Sequence, residues 1–480
     1  MMNRSSLIAA ACIVVYGVAI YAFVPSPAAP LPPATLSPPS TGRMPHDMKE
    51  VQLTFAPVVK HVAPAVVNVY ARTVVQAPMN PFFNDPFFQQ FFGSPQMRQR
   101  VQQSLGSGVI VRADGLILTN NHVIQGGQDI VVALADKREF KAKVMLADTR
   151  TDLAVLKIDT RGERLPTVEF GNSDQLQVGD LVLAIGDPFG VGQTVTMGII
   201  SALARTEVSA SNYQFFIQTD AAINPGNSGG ALVTTDGKLA GINTAIFSRT
   251  GESVGIGFAI PANMARRVVE GATTGGVKLP WIGADGQPVT GELAASLGLA
   301  RPQGVLLKSV YPGSPAARGG LKVGDVILSV DGAEVNDMQS LNYRVATHKP
   351  SETARLSVSS SGRARDVNVS LALPPENPPR DTKLIGGRNP LTGAHIANLS
   401  PAVAVDLQMN LMAKGVVILS VSPGTPSGEY GFQPGDVVHS VNGQPMNDTG
   451  QLKHALDAAG GHWDLVIDRS GQRLTLSVDG

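Results

Sequence analysis

The segment Asn224-Pro225-Gly226-Asn227-Ser228-Gly229-Gly230 sets a serine among glycines in a way that prepares it for covalent chemistry. A free serine hydroxyl hardly ionises at neutral pH. It attacks a carbonyl only when a positioned base takes its proton and backbone N–H groups receive the developing negative charge. Glycines at 226, 229 and 230 let the main chain turn its amides inward and approach a substrate carbonyl closely. The N–H groups of Gly226 and Ser228, with Asn227 as a further contributor, are therefore the candidate oxyanion hole. Taken alone, the same string is equally an ordinary tight turn.

Two upstream segments decide between these readings. Thr119-Asn120-Asn121-His122-Val123-Ile124 follows the strand-like run Gly115-Leu116-Ile117-Leu118 and places His122 where a strand gives way to a loop or short helix. Thr151-Asp152 opens the apolar, β-branched run Leu153 to Ile158, where a carboxylate can be buried against an imidazole. His122 is the candidate base and Asp152 the candidate orienter, which fixes the tautomer and stabilises the imidazolium while the histidine moves a proton from Ser228 to the leaving amine. The chain order His, Asp, Ser is that of chymotrypsin-like double β-barrels and differs from the subtilisin and α/β-hydrolase orders. The only cysteine, Cys12, lies in the N-terminal apolar run, which excludes thiol catalysis and cysteine-based metal sites from the folded body.

These strings, with Gln218-Thr219-Asp220-Ala221-Ala222-Ile223 ahead of the serine loop and Gly255-Ile256-Gly257-Phe258-Ala259-Ile260-Pro261 after it, resemble the HtrA (Deg, or Do-like) serine proteases. The resemblance runs from about residue 50 to the C-terminus. It implies a mainly β chain, with a chymotrypsin-like double β-barrel protease domain over 49–272 and PDZ domains over 278–374 and 384–480, joined by a linker at 375–383. By the same resemblance His122, Asp152 and Ser228 are the charge-relay residues, and no cofactor or metal is needed. Arg205, in Ala204-Arg205-Thr206-Glu207, matches the position of a sensor that holds the oxyanion loop in its working shape. Trimers, and cages built from them, are implied in the same way.

Composition suits several domains. At 480 residues the chain has material for about three, at about 150 residues each. Lys+Arg and Asp+Glu both number 38, so no overall basic field points to nucleic acid. The N-terminus carries Arg4 and then an apolar stretch from Leu7 to Val24, with no basic residue until Arg43. That stretch is long enough to cross a bilayer and predicts a body exported to the periplasm. It is either an uncleaved inner-membrane anchor over residues 7–24, the reading its length favours, or a signal sequence that is removed. Residues 25–48, rich in proline, follow as a linker.

From residue 49 many short strands joined by turns suit a pair of β-barrels. An insertion at 80–92 holds six of the 16 phenylalanines, enough to require a covering surface. In the family this position resembles a long regulatory loop. The primary specificity pocket is expected around Ile223, Ala245 and Ile246, with no acid to pair with a basic side chain. Cleavage after valine, alanine and similar aliphatic residues follows, and these become accessible when proteins unfold.

The C-terminal 200 residues contain an internal repeat. Val310 to Asp337 aligns without gaps on Val421 to Asp448, with 13 of 28 positions identical. Each copy carries a Gly-Asp-Val turn and resembles a PDZ domain, which binds the C-terminal end of a peptide by strand addition. Trp281-Ile282-Gly283-Ala284 matches the binding segment of the first copy, and Gly393-Ala394-His395-Ile396 is the weaker match in the second. The leading functional reading is an ATP-independent serine endopeptidase for unfolded or damaged envelope proteins, recruited through the PDZ domains. The alternative is a chaperone or peptide-binding scaffold in which proteolysis is minor.

Overall fold

The computed structural model describes residues 54–75, 100–187, 192–205, 215–224, 226–246 and 255–480. The expected N-terminal anchor, its linker and the phenylalanine-rich insertion lie outside the described residues. After a short helix, α1 (Ala56–Val62), twelve strands close into two six-stranded antiparallel barrels. The first holds β1 (Val66–Val75), β2 (Arg100–Arg112), β3 (Leu116–Asn120), β4 (Asp129–Ala133), β5 (Glu139–Asp148) and β6 (Leu153–Ile158), in the order β1-β2-β3-β6-β5-β4. The second holds β7 (Leu181–Gly186), β8 (Thr194–Arg205), β9 (Phe216–Thr219), β10 (Ala231–Thr234), β11 (Leu239–Ile246) and β12 (Gly257–Pro261), in the order β10-β11-β12-β9-β8-β7.

The barrels share a core because two strands of the second are apolar on both faces. In β7, Val182 and Ala184 point into the second barrel's own core, while Leu183 and Ile185 join the cluster that contains Ile110, Leu118 and Val155 of the first. In β10, Leu232 faces inward and Ala231 and Val233 face the neighbouring barrel. Alternation of side chains along a strand makes this division automatic. It also explains why these strands read as unbroken apolar runs. A helix, α3 (Ala262–Thr274), seals the joint with Met264, Ala265 and Val268 and ends at Gly275. Between β3 and β4 lies a single helical turn, α2 (Asn121–Ile124).

The two repeats form separate sheets with cores of their own. The first repeat orders β13 (Ala284–Pro288), β14 (Val305–Val310), β15 (Val326–Val330), β17 (Thr353–Ser360) and β18 (Arg363–Ser370), with β16 (Ala333–Glu334) on β15 and the helix α4 (Met338–Ala346) packed alongside. The second repeats this arrangement from β20 (Ala394–Asn398) to its last strand, Gln472–Asp479, with an added edge pair at β19 (Lys383–Leu384). The shared Gly-Asp-Val turn has a physical purpose. Asp325 accepts the Lys322 N–H (2.9 Å) and pairs with Arg365 (3.0 Å). Its counterpart Asp436 accepts the Gln433 N–H (2.9 Å) and takes both Nε and Nη2 of Arg469 (2.7 Å each). A buried carboxylate is tolerated when its charge and lone pairs are matched in this way.

Helix α4 of the first repeat docks on the second barrel. The Tyr343 ring stacks on Phe215 with centroids 4.1 Å apart and planes within 3°. Neighbouring Arg344 lies over the Phe215 ring and pairs with Asp174. Tyr343 is fully enclosed, and burial pushes its phenol well above the usual range.

Candidate functional site

His122 stands on α2, immediately after the buried strand β3, and its ring reaches the carboxylate that opens β6. Asp152 takes φ +55°, a left-handed conformation that aspartate tolerates better than most residues, and this turns its carboxylate toward His122. His122 Nδ1 lies 2.7 Å from Asp152 Oδ2, and the His122 N–H donates to Asp152 Oδ1 at 3.0 Å. The Asp152 carbonyl in turn accepts the Asn121 N–H and the Asn120 side chain, each at 3.0 Å. The pair is thus held through side chain and main chain together. With the Nδ1 proton directed at the carboxylate, Nε2 is left as the basic nitrogen.

Ser228 comes from the other barrel, in the turn before β10. Its Oγ donates to the Thr244 carbonyl at 3.2 Å, while the Thr244 hydroxyl donates to Asp152 Oδ2 at 2.9 Å. Thr244, on β11, therefore touches both the nucleophile candidate and the carboxylate. Sequence reasoning missed it, and the one available signal was the polar pair Asn243-Thr244 inside an apolar strand.

The turn preceding Ser228 is closed by the Asn227 N–H donating to Asn224 O at 3.0 Å, with Gly226 at φ +98°. The Asn227 amide, expected as a further oxyanion donor, is committed to this turn. Its side chain is buried, and neither side-chain polar atom has a partner among the described residues. Gly229 is required by space as well as by φ (+84°), since a Cβ there would lie 2.1 Å from the Ser107 carbonyl oxygen.

The same loop is gripped by Ser107 of β2, a second residue missed from sequence. Its N–H donates to Ser228 O (2.8 Å), its hydroxyl donates to Gly226 O (2.6 Å), and its Oγ accepts the Asp187 N–H (2.9 Å). Asp187 itself is buried at the end of β7, with Oδ1 unpartnered among the described residues. Burial pushes its carboxyl above the usual range, opposed by Lys137 and a Gly192 N–H.

Ile223 is fully buried, packed over Gly257 in the core of the second barrel. Asp220, the nearest acid in sequence, accepts the Ile199 N–H at 2.7 Å. Ala245 and Ile246 end β11 and Arg205 ends β8, opposite Phe216, but their side chains lie outside the described residues. In the first repeat, Trp281 packs on Tyr311 and donates its N–H to Ala372 O, and Gly283 O accepts the Tyr311 N–H. A cleft between the two repeats is lined by Trp281, Ile282, Gly283 and Ala284, by Met338 and Asn342 of α4, and by Ala404, Val405 and Gln408 to Leu411 of the second repeat. In the second repeat Gly393 O likewise accepts the Ser422 N–H. Among the described residues, no cluster of three or more His, Cys, Asp or Glu could hold a metal ion, and no helix is long and apolar enough to cross a membrane.

Residues 106–242 match the trypsin-like peptidase domain, and residues 280–371 and 397–479 match the PDZ domain. A Chlamydia pneumoniae protein named probable periplasmic serine endoprotease DegP-like is 38% identical over 428 residues, covering 85% of this chain and 86% of that protein. A protein of the same name from Brucella suis biovar 1 is 38% identical over 458 residues, covering 88% of this chain and 87% of its own. Among solved structures, the HtrA-type protease AlgW with decapeptide is 48% identical, covers 67% of this chain and 99% of its own, and superposes with a TM-score of 0.50. AlgW with tripeptide is 45% identical, covers 67% of this chain and 98% of its own, and gives 0.51.

Proposed function

Because the chain belongs to the HtrA (DegP-like) serine endoproteases, with a trypsin-like peptidase domain followed by two PDZ domains, we propose that His122, Asp152 and Ser228 carry its peptide-bond hydrolysis. The observation that supports this most is the Asp152 carboxylate, which receives His122 on one side and Thr244, the residue touching Ser228, on the other. Ser228 Oγ attacks the scissile carbonyl carbon as His122 Nε2 takes its proton. The resulting oxyanion is received by the Gly226 and Ser228 amides. Collapse breaks the C–N bond, with His122 returning the proton to the leaving amine. Water then cleaves the acyl-enzyme by the same steps in reverse.

Substrates of this chain are unfolded or damaged periplasmic proteins, cut without ATP after small aliphatic residues. Ile223, packed over Gly257, supports a shallow, uncharged pocket, completed by Ala245 and Ile246. The groove beside Trp281, Ile282, Gly283 and Ala284 takes peptide C-termini by strand addition. The body assembles as a trimer or a multiple of one and is held at the inner membrane by residues 7–24. Arg205 relays loop ordering to the oxyanion loop, and unchanged basal and peptide-stimulated proteolysis in Arg205→Ala would remove it from that role. The main test is incubation of the purified protein with an unfolded protein and mapping of the cut sites, with Ser228→Ala as control. Hydrolysis retained in Ser228→Ala, or cuts chiefly after lysine or arginine, would overturn the assignment of the nucleophile or of the pocket respectively.

A further inference from the structure

We propose that Ser107 is a positioning residue for the reaction, a buried bridge from the first barrel that sets the oxyanion-hole amides supplied by the second; this rests on Ser228 being the nucleophile. Ser107 is fully buried on β2, in a strand whose neighbours are core residues. Its hydroxyl has one proton to give and gives it to Gly226 O (2.6 Å), while its oxygen accepts the Asp187 N–H (2.9 Å). Its own N–H holds Ser228 O (2.8 Å), and its carbonyl is fixed by the Thr119 hydroxyl (2.7 Å). One residue thus fastens three points of the second barrel, two of them in the nucleophile loop.

The geometry translates directly into amide orientation. A peptide unit is planar, so holding a carbonyl oxygen fixes the whole plane that contains it. Gly226 O belongs to the plane joining residues 226 and 227, and Ser228 O to the plane joining 228 and 229. The plane carrying the Ser228 N–H lies between these two pinned planes. The Gly226 N–H is attached to a Cα that the first plane also contains. Without the hydroxyl, Gly226 O is a buried acceptor with a lost partner, and the 226–227 plane keeps only the Asn227 N–H bond to Asn224 O (3.0 Å), so it can rock about that one point and take the Gly226 amide out of aim. The bond to Ser228 O is made by the main chain and survives any substitution of the side chain, so the perturbation falls on the oxyanion side of the loop and on the Asp187 N–H, which loses its acceptor at the end of β7.

The experiment compares Ser107→Ala and the near-isosteric, weakly donating Ser107→Cys in the full chain. The readouts are kcat and KM on a chromogenic peptide, the inhibition constant of a peptidyl aldehyde with the same sequence, and thermal melting. Loss of a preorganised oxyanion donor costs about 10²- to 10³-fold in kcat. Misaiming one without deleting it should cost about 10- to 100-fold by the same electrostatic argument. We expect that fall in kcat, KM within about threefold of the parent, and aldehyde affinity weakened in parallel with kcat, since the aldehyde adduct carries the oxyanion. A purely structural serine would lower the melting temperature without that parallel. The proposal is overturned if either folded variant keeps kcat within twofold, if the loss falls in KM, if aldehyde affinity is unchanged, or if both variants lose cooperative melting. Labelling of Ser228 by a fluorophosphonate in the parent separates the outcomes. If Ser228 is not labelled, the nucleophile assignment fails; if it is labelled and Ser107 is silent, only the bridge fails.

Discussion

Replacing Thr244 with valine keeps the side chain's shape, leaves the Thr244 carbonyl in place for Ser228, and removes one donor from Asp152. That carboxylate receives the His122 N–H at 3.0 Å, His122 Nδ1 at 2.7 Å and the Thr244 hydroxyl at 2.9 Å. A hydrogen bond to a charged group contributes about 1.5–3 kcal/mol. The Asp152 side chain is 18% exposed, so water can replace part of what is lost. The expected loss is then about 1–2 kcal/mol, a factor of about 5–30. Imidazolium formation in the transition state draws on the carboxylate more than substrate binding does, so the loss should fall in kcat. Steady-state hydrolysis of a chromogenic peptide, with Thr244→Ser as the variant that restores the hydroxyl, measures it. Thr244→Val within twofold of the parent, or Thr244→Ser impaired as much as Thr244→Val, would falsify the assignment of Thr244 as the carboxylate's third donor.

Asp152→Asn should lower kcat by about 10⁴ while the protein still folds and binds substrate, since the asparagine favours the wrong imidazole tautomer. Gly229→Ala sets a Cβ 2.1 Å from the Ser107 oxygen and 2.4 Å from the Thr119 hydroxyl at φ +84°. Its cost combines about 1–2 kcal/mol for the left-handed backbone with about 1–3 kcal/mol for overpacking, and should appear as a lower melting temperature together with lost fluorophosphonate labelling; normal labelling would contradict it. Asp187→Asn should stabilise the protein at neutral pH. Burial raises the Asp187 carboxyl in the folded state, so its ionisation costs stability above the unfolded value of about 3.9, and the cost grows as pH rises through the higher folded value. Melting at pH 7 should rise by about 2–4 °C for each kcal/mol recovered, with the gain fading below about pH 4; an equal gain at both pH values would refute the charge-based account.

Local strings carried most of the proposed site. His122 is marked by the apolar strand before it, Asp152 by the β-branched run after it and Ser228 by its glycines, because each sits where a strand ends and the turn chemistry is visible in one short window. The repeat was equally plain, since Asp325 and Asp436 each need the same turn to meet their arginines. Thr244 and Ser107 escaped for the opposite reason. Each is an ordinary small polar residue in a strand, and its importance comes from partners far away in sequence, such as Gly226 for Ser107 and Asp152 for Thr244. The Tyr343 and Phe215 stack is of the same kind. Asn227 shows the limit of motif reading: the string suggested an amide for the oxyanion, and the turn it belongs to had already claimed that amide.

Ser228 and Thr244 ride on one barrel, His122 and Asp152 on the other, and bonds such as Thr244 to Asp152 and Ser107 to Gly226 stitch the seam between them. The proposed catalytic centre is therefore a property of the seam, and neither half contains it. Gentle heating or low denaturant that slides one half past the other by an ångström should silence the enzyme while both halves keep their strands. Inactivation would then precede the circular-dichroism transition, and cooling would restore activity as the halves re-seat.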